Sequence, residues 1–349
     1  MSDASGPGGS AEGDGPAAAG AAGSAATDVA EPAGRDVMLR DVLDGLSRPQ
    51  KELSPKYFYD QRGSELFEEI TRLNEYYPTR TERALLERWA SPWVEELRPA
   101  ALVELGAGSA EKSRIVLDAM DAHGSGELYV PVDVSAEFLY ETAQQLRSEY
   151  DDLRVEPEVA DISRPLELSV DVPEPSWFAL LGSTIGNFEP QQAARLLCRI
   201  ARCMRSGDRL LLGVDLVPGP HKSVSRLESA YNDAGGVTAA FNRNILRVLN
   251  RELGSDFDAS AFRHRAFWDP AGRQIEMHLV SDRDQVVRFP DGSGRHEVAL
   301  ACGESIRTEV SRKYDRQSVE ELFAAADLHV ERWVEDERKR FALVVGRPE

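Results

Sequence analysis

The sequence predicts an α/β protein: a Rossmann-like core of parallel strands wound with helices on both faces, accompanied by a second, inserted α+β unit. Three observations predict it. Between Thr81 and about Val217, short apolar runs alternate with amphipathic stretches, the rhythm of βαβ units. The first run enters the turn Gly106-Ala107-Gly108, and a residue without Cβ lets the backbone approach a ligand closely at the carboxyl end of a strand. Past Val217 the rhythm breaks and returns only near the C terminus.

Taken in order, residues 1–34 are almost entirely Gly, Ala, Ser, Asp, Glu and Pro, with no aromatic residue to bury, and are expected to form a disordered tail outside the fold. The tail has neither the apolar core of a secretory signal nor the Arg-rich pattern of a transit peptide. Val37, Leu39, Val42 and Leu46 then recur at helical spacing. Tyr57, Phe58, Tyr59, Phe67, Tyr76 and Tyr77 crowd the next segment of a chain that is only 7% aromatic, so they either staple it to a core or line a pocket. Composition favours the staple.

The expected parallel strands are Ala101–Glu104, Leu128–Val132, Arg154–Val159, Trp177–Leu181 and Arg209–Asp215, with helices such as Ser113–Ala122 and Gln191–Met204 between them. The insertion reads as a helical stretch, "YNDAGGVTAAFNRNILRVLNREL", followed by a hairpin over about Ala266–Arg288 around the turn Asp269-Pro270-Ala271-Gly272. The Rossmann-like pattern is expected to resume with "TEVSRKY", a helix from Ser318 to Ala326, and an antiparallel pair of strands in "HVERWVED" and "FALVVG".

Composition removes several functions. Asp and Glu number 60 against 41 Lys and Arg, a formal charge of −19 that repels polyanions, so nucleic acid is not an expected partner. No apolar run approaches the roughly 18 residues that cross a bilayer, so no membrane is expected and the chain reads as soluble. Cys198, Cys203 and Cys302 are odd in number and lack CxxC spacing, which suits reduced packing residues in a cytoplasmic protein. The six histidines are scattered without ligand spacing, and no metal is expected.

The glycine turn in "LVELGAGSAEKS" implies a nucleoside-bearing cofactor, without by itself separating a dinucleotide from S-adenosylmethionine (SAM). Its surroundings separate them. A dinucleotide turn wants Gly or Ala three residues after Gly108, where pyrophosphate meets a helix N-terminus, and this chain has Glu111 there. Glu104 ahead of the turn instead resembles the acidic residue in the E/DxGxG motif of class I methyltransferases, whose cofactor carries a sulfonium cation. Asp133 after the second strand is placed for the ribose hydroxyls, which a carboxylate can accept as a pair, and Asp161 after the third is placed for the adenine amine.

With "FYDQRGSELFEEITRLNEYYPTRTE", "LVELGAGSAEKSR", "PVDVS", "LGSTIGNF", "AYNDAGGVTAAFNRNIL", "RQIEM" and "TEVSRKY" in this order, the chain resembles the histidine Nα-methyltransferases of ergothioneine biosynthesis over Asp36 to Gly346. Members of that family use SAM to trimethylate the α-amino group of L-histidine to hercynine. The resemblance implies a class I methyltransferase Rossmann-like core, residues 81–221 and 312–349, and a second, inserted α+β substrate-binding domain, residues 35–80 and 222–311. It implies Tyr59, Gly106, Lys112, Asp133, Asp161 and Ile162 as cofactor contacts. It implies Tyr76, Gly182, Asn187, Tyr231, Met277, Glu309 and Ser311 as the histidine pocket.

Each residue type suits its task. Asn187 and Tyr231 can donate to a carboxylate, while Glu309 and Ser311, two apart on one strand, can address the imidazole together with Tyr76. Lys112 would repel a sulfonium, so it is expected to reach the cofactor's carboxylate end. Methyl transfer to an amine is in-line displacement by a neutral nitrogen, so positioning supplies most of the catalysis, and Tyr59 or a water is expected to help remove the proton. A methyltransferase of another amino acid or small amine and a non-catalytic SAM-binding regulator stand as alternatives, and a monomer is the default expectation.

Overall fold

The computed structural model describes residues 31–291 and 294–349, so residues 1–30 of the expected tail lie outside the described residues. Residues 31–34 need a correction, because they already belong to the first helix, α1 (Glu31–Ser47). Arg35 donates to the carbonyls of Leu253 and Pro290, about 220 and 255 residues away, a tether that no local periodicity reveals.

The chain continues through β1 (Lys51–Glu52), a 3-10 turn at Pro55–Phe58, α2 (Gln61–Thr71) and α3 (Tyr77–Leu97). Asp60 caps α2 by accepting the Gly63 N–H, and Pro78 in the first turn of α3 costs nothing because that N–H has no helical partner. The core then alternates as β2 (Ala101–Leu105), α4 (Ser113–Ala122), β3 (Leu128–Asp133), α5 (Ala136–Glu149), β4 (Arg154–Val155), β5 (Glu158–Val159), β6 (Ser176–Leu180), α6 (Pro190–Cys203) and β7 (Arg209–Asp215). The third expected strand is broken in two. Pro157 sits at the break and has no N–H to give the ladder.

The insertion holds α7 (Val224–Ala230), α8 (Val237–Leu253), β8 (Phe262–Asp269), β9 (Gln274–Ser281), β10 (Gln285–Asp291), β11 (Gly294–Leu300) and β12 (Ser305–Arg312). The chain closes with α9 (Arg316–Ala324), β13 (Leu328–Glu335) and β14 (Phe341–Pro348). Two expectations change here. The hairpin around Asp269–Gly272 is β8 with β9, and the polar run Ser281–Asp284 turns the chain, so residues 285–288 start a separate hairpin with β11. "TEVSR" lies in β12, which pairs with β9 and β1 in the smaller sheet, and only from Tyr314 does the chain rejoin the larger one.

The larger sheet runs β13-β14-β7-β6-β2-β3-β4, with β5 also on β3. β2 through β7 pair in parallel and β14 is antiparallel to β7. This is the strand order of a class I methyltransferase core, with helices on both faces. Strand alternation divides its apolar residues between those faces: Val103, Val130 and Phe178 pack under α6 and α9, while Leu102, Tyr129 and Trp177 pack under α3 and α4. A third core joins residues 39–77 to 227–306, so the N-terminal segment and the insertion share one interior. The order reverses between β2 and β6, and the crevice beyond their carboxyl ends is where an open α/β sheet takes a ligand.

Candidate active site

A cavity of about 530 Å³ opens at that crevice, walled by the loops after β2, β3 and β6, by the segment from Leu53 to Thr79, and by β12. Tyr59, Gly106, Lys112, Asp133, Asp161, Ile162, Tyr76, Gly182, Asn187 and Glu309 all line it. The aromatic segment serves both uses weighed for it, since Phe58 is fully buried in the core whereas Tyr59, Phe67 and Tyr76 face the cavity.

The glycine loop forms part of the wall. Gly106 has φ +76°, and its N–H and that of Ala107 both donate to the Val132 carbonyl, which folds the turn back on β3. Glu104 is buried and accepts from the Tyr129 hydroxyl at 2.6 Å and from Ser113. Burial pushes its carboxyl up to about 7 against those two hydrogen bonds. Glu104 thus braces the loop and is committed to protein partners. Asp133 accepts the N–H groups of Gly108 and Ser135, each at 3.1 Å, and a carboxylate has lone pairs to spare. Burial would raise Asp161, but hydrogen bonds from Ser163, then the Lys56 ammonium 3.3 Å away, hold it below its usual range. The Ile162 carbonyl accepts from Arg199.

Lys112 lies at the start of α4 with its Nζ 2.6 Å from Glu82 Oε2. Glu82 is completely buried and accepts the Gly182 N–H at both oxygens, 2.8 and 2.9 Å. The sequence reading missed Glu82, yet a signal existed: it falls on the buried stripe of α3 with Leu85, Leu86 and Trp93, where a carboxylate needs a reason to be.

Tyr59, Tyr76, Asn187 and Glu309 line the same cavity, with both Glu309 and Asp133 within electrostatic reach of Tyr59. Burial first, then Glu309, hold the Tyr59 phenol well above its usual range, so at neutral pH it is a neutral hydroxyl. Burial pushes Glu309 up to about 7, with the Lys313 ammonium pulling against it. Asn187 ends the 3-10 turn Thr184–Asn187, which packs on β12 so closely that a Cβ at Gly186 would meet the Arg312 carbonyl at 2.7 Å. Among the described residues, none hydrogen-bonds the side-chain polar groups of Tyr59, Tyr76, Asn187 or Glu309.

Tyr231, Met277 and Ser311 stand behind this wall. Met277 is buried opposite Glu309 on β9. The Tyr231 ring lies edge-on to Tyr76 at 6.0 Å, and its hydroxyl is 2.8 Å from that of Ser311. Lys313 donates to both hydroxyls at 2.8 Å and pairs with Asp215 at 2.9 Å. Asp215 also binds Lys222 at 2.6 Å and accepts from Tyr77. Burial would raise Asp215, but the two lysines hold it low, and burial in turn pushes Lys222 down to about 8. Nothing local in the sequence marks this cluster, because Asp215 ends β7 and Lys313 follows β12, about a hundred residues further along the chain.

Comparison with known proteins bears on these residues. A family described as "histidine-specific methyltransferase, SAM-dependent" matches residues 38–348. The chain is 45% identical over 322 residues to the histidine N-alpha-methyltransferase of Mycobacterium tuberculosis (strain CDC 1551 / Oshkosh), covering 92% of this chain and 98% of that one. It is 41% identical over 308 residues to the enzyme of the same name from Mycolicibacterium smegmatis, covering 88% and 94%. It is 28% identical over 321 residues to ergothioneine biosynthesis protein 1 of Neurospora crassa, covering 85% of this chain and 34% of that longer one.

Proposed function

The chain belongs to the SAM-dependent, histidine-specific methyltransferases, and on that premise we propose that it transfers three methyl groups in turn to the α-amino group of L-histidine, yielding hercynine, the first step of ergothioneine biosynthesis. The observation that carries this reading is the set of four polar side chains, Tyr59, Tyr76, Asn187 and Glu309, that face one cavity without hydrogen-bond partners among the described residues. Tyr76 is buried and the other three are half-buried, so their polar atoms are open to the cavity and available to a ligand with several donors and acceptors.

When bound, the cofactor supplies an electrophilic methyl group on a cationic sulfur. The residues present fit it: Gly106 leaves room for close approach, Asp133 has spare lone pairs for a diol, Asp161 and Ile162 flank the adenine position, and Lys112 presents donors for a carboxylate. Toward the substrate, Asn187 holds the α-carboxylate and Glu309 accepts an imidazole N–H. An amino acid without that N–H leaves a desolvated carboxylate, at a cost of about 1–3 kcal/mol. Tyr76 packs beside the ring, and Tyr231, Ser311 and Met277 back the pocket from behind. Tyr59, a neutral hydroxyl, accepts an amine N–H and helps pass the proton to water. Gly182, at φ +74° and with its missing Cβ position 3.0 Å from Lys112 Nζ, lets the loop after β6 close up against Lys112.

Residues 35–80 and 222–311 serve in this reading as the substrate-binding unit, on the support of their shared interior. Three unpaired cysteines support a cytoplasmic setting. The test is mass spectrometry of protein with SAM and L-histidine, the other amino acids and histamine in parallel. The expected result is one, two and three methyl additions on histidine alone. Methylation of a different amine instead would discard the Glu309 pocket while leaving the cofactor site.

A further inference from the structure

A lysine on the wall of a site that takes a sulfonium poses an electrostatic problem, since like charges repel most where water is excluded. Lys112 lines the cavity, is 21% exposed at its side chain, and makes one hydrogen bond within the described residues, to Glu82. An ammonium has three N–H donors, so two remain for the cavity. We propose that Glu82 is a positioning residue which cancels the charge of Lys112 toward the sulfonium while holding its ammonium ready for the cofactor's amino-acid carboxylate.

Three features show that the carboxylate is built in. A buried carboxylate is costly unless paired and hydrogen-bonded, and Glu82 is both, through Lys112 and the Gly182 N–H. The sheet is notched to receive it, because a Cβ at Gly213 on β7 would stand 1.9 Å from Glu82 Oε1. The same carboxylate ties two loops of the cavity together, since a Cβ at Gly182 would lie 3.0 Å from Lys112 Nζ, and Gly182 already sits at φ +74° where side chains are strained. Helix α3, the glycine loop and the loop after β6 therefore converge on one ion pair, whose only net requirement is that both charges be present.

The inference rests on Lys112 belonging to the cofactor site, and two ligands of nearly one shape test it. SAM and S-adenosylhomocysteine share the carboxylate and differ by a methyl group and its positive charge. Their dissociation constants are measured calorimetrically on the full chain for wild type, Glu82→Gln, Lys112→Met and the double variant. Glu82→Gln keeps an acceptor for Gly182 and removes the charge, so it is expected to weaken SAM about ten-fold more than S-adenosylhomocysteine. The double variant is expected to restore the ratio of the two to within about three-fold of wild type, with both weaker.

Equal losses for the two ligands in Glu82→Gln, with Lys112→Met still weakening both, would overturn the inference alone. No change in either ligand with Lys112→Met would remove Lys112 from the cofactor site and the inference with it. Should Glu82→Gln not fold, Lys112→Met carries the test, because uncovering Glu82 is expected to shift the ratio the other way, toward SAM. An unshifted ratio there overturns the proposal.

Discussion

Around the glycine loop, Asp133, Asp161, Glu104 and Lys112 are all bonded within the protein, whereas Tyr59, Tyr76, Asn187 and Glu309, on the same cavity, have no such partners among the described residues. The first arrangement is a scaffold set before the ligand arrives, which binds with the lone pairs and donors left over. The second is completed by its ligand. A ligand that covers these groups without bonding them strips their water and penalises itself, so discrimination is expected from the second set and cofactor affinity from the first.

The largest expected effect sharpens that division. Glu309→Ala or Asn187→Ala should lower kcat/KM for histidine by roughly 10–150-fold, the worth of a hydrogen bond to a charged group, while the SAM dissociation constant stays within about three-fold. Parallel losses in both quantities would mean the two sets are not separate.

A smaller effect appears in pH-dependent stability. Folding lifts the Glu309 carboxyl from 4.5 to about 7, so the folded state holds this proton more tightly than the unfolded one. Its contribution to stability is full at acid pH and is lost as pH rises from about 4.5 through 7. Denaturant titrations should therefore show Glu309→Gln gaining on wild type, on the order of 1 kcal/mol, between pH 5 and pH 8. Glu104, shifted in the same direction by burial, leaves a residual slope in the variant. An unchanged pH profile would mean that water reaches Glu309 freely.

The smallest effect is expected at Lys56, a partly exposed cation between Asp41 and Asp161. Such pairs are worth about 0–1 kcal/mol, so Lys56→Met should change SAM affinity by no more than about five-fold. A larger change would break the comparison, since it would make the ion pair between Lys56 and Asp161 a main support of cofactor binding.

The βαβ rhythm was legible because it is written in short-range periodicity, and the helix Ser113–Ala122 and strand Arg209–Asp215 lie at the bounds the pattern indicates. The pattern failed at Pro157, read through as strand, and at Ser281–Asp284, where a polar turn starts a second hairpin. The Rossmann-like pattern expected to resume with "TEVSRKY" does so only from Tyr314, because an apolar alternation states which residues face a core and not which core. Of the residues the motif resemblance implied for the site, ten line the cavity, whereas Tyr231, Met277 and Ser311 stand behind it.

By itself the sequence determined the order of elements, the glycine turn at the head of the sheet and the residue types available for a cationic cofactor and an imidazole. Each follows from local backbone preference or side-chain chemistry. Tertiary structure alone decided the pairings: Glu82 with Lys112 and Gly182, Lys313 with Asp215, and the absence of protein partners for Glu309 and Asn187 among the described residues. A carboxylate's partner depends on distances between segments up to a hundred residues apart, and those distances exist only once the cores have packed.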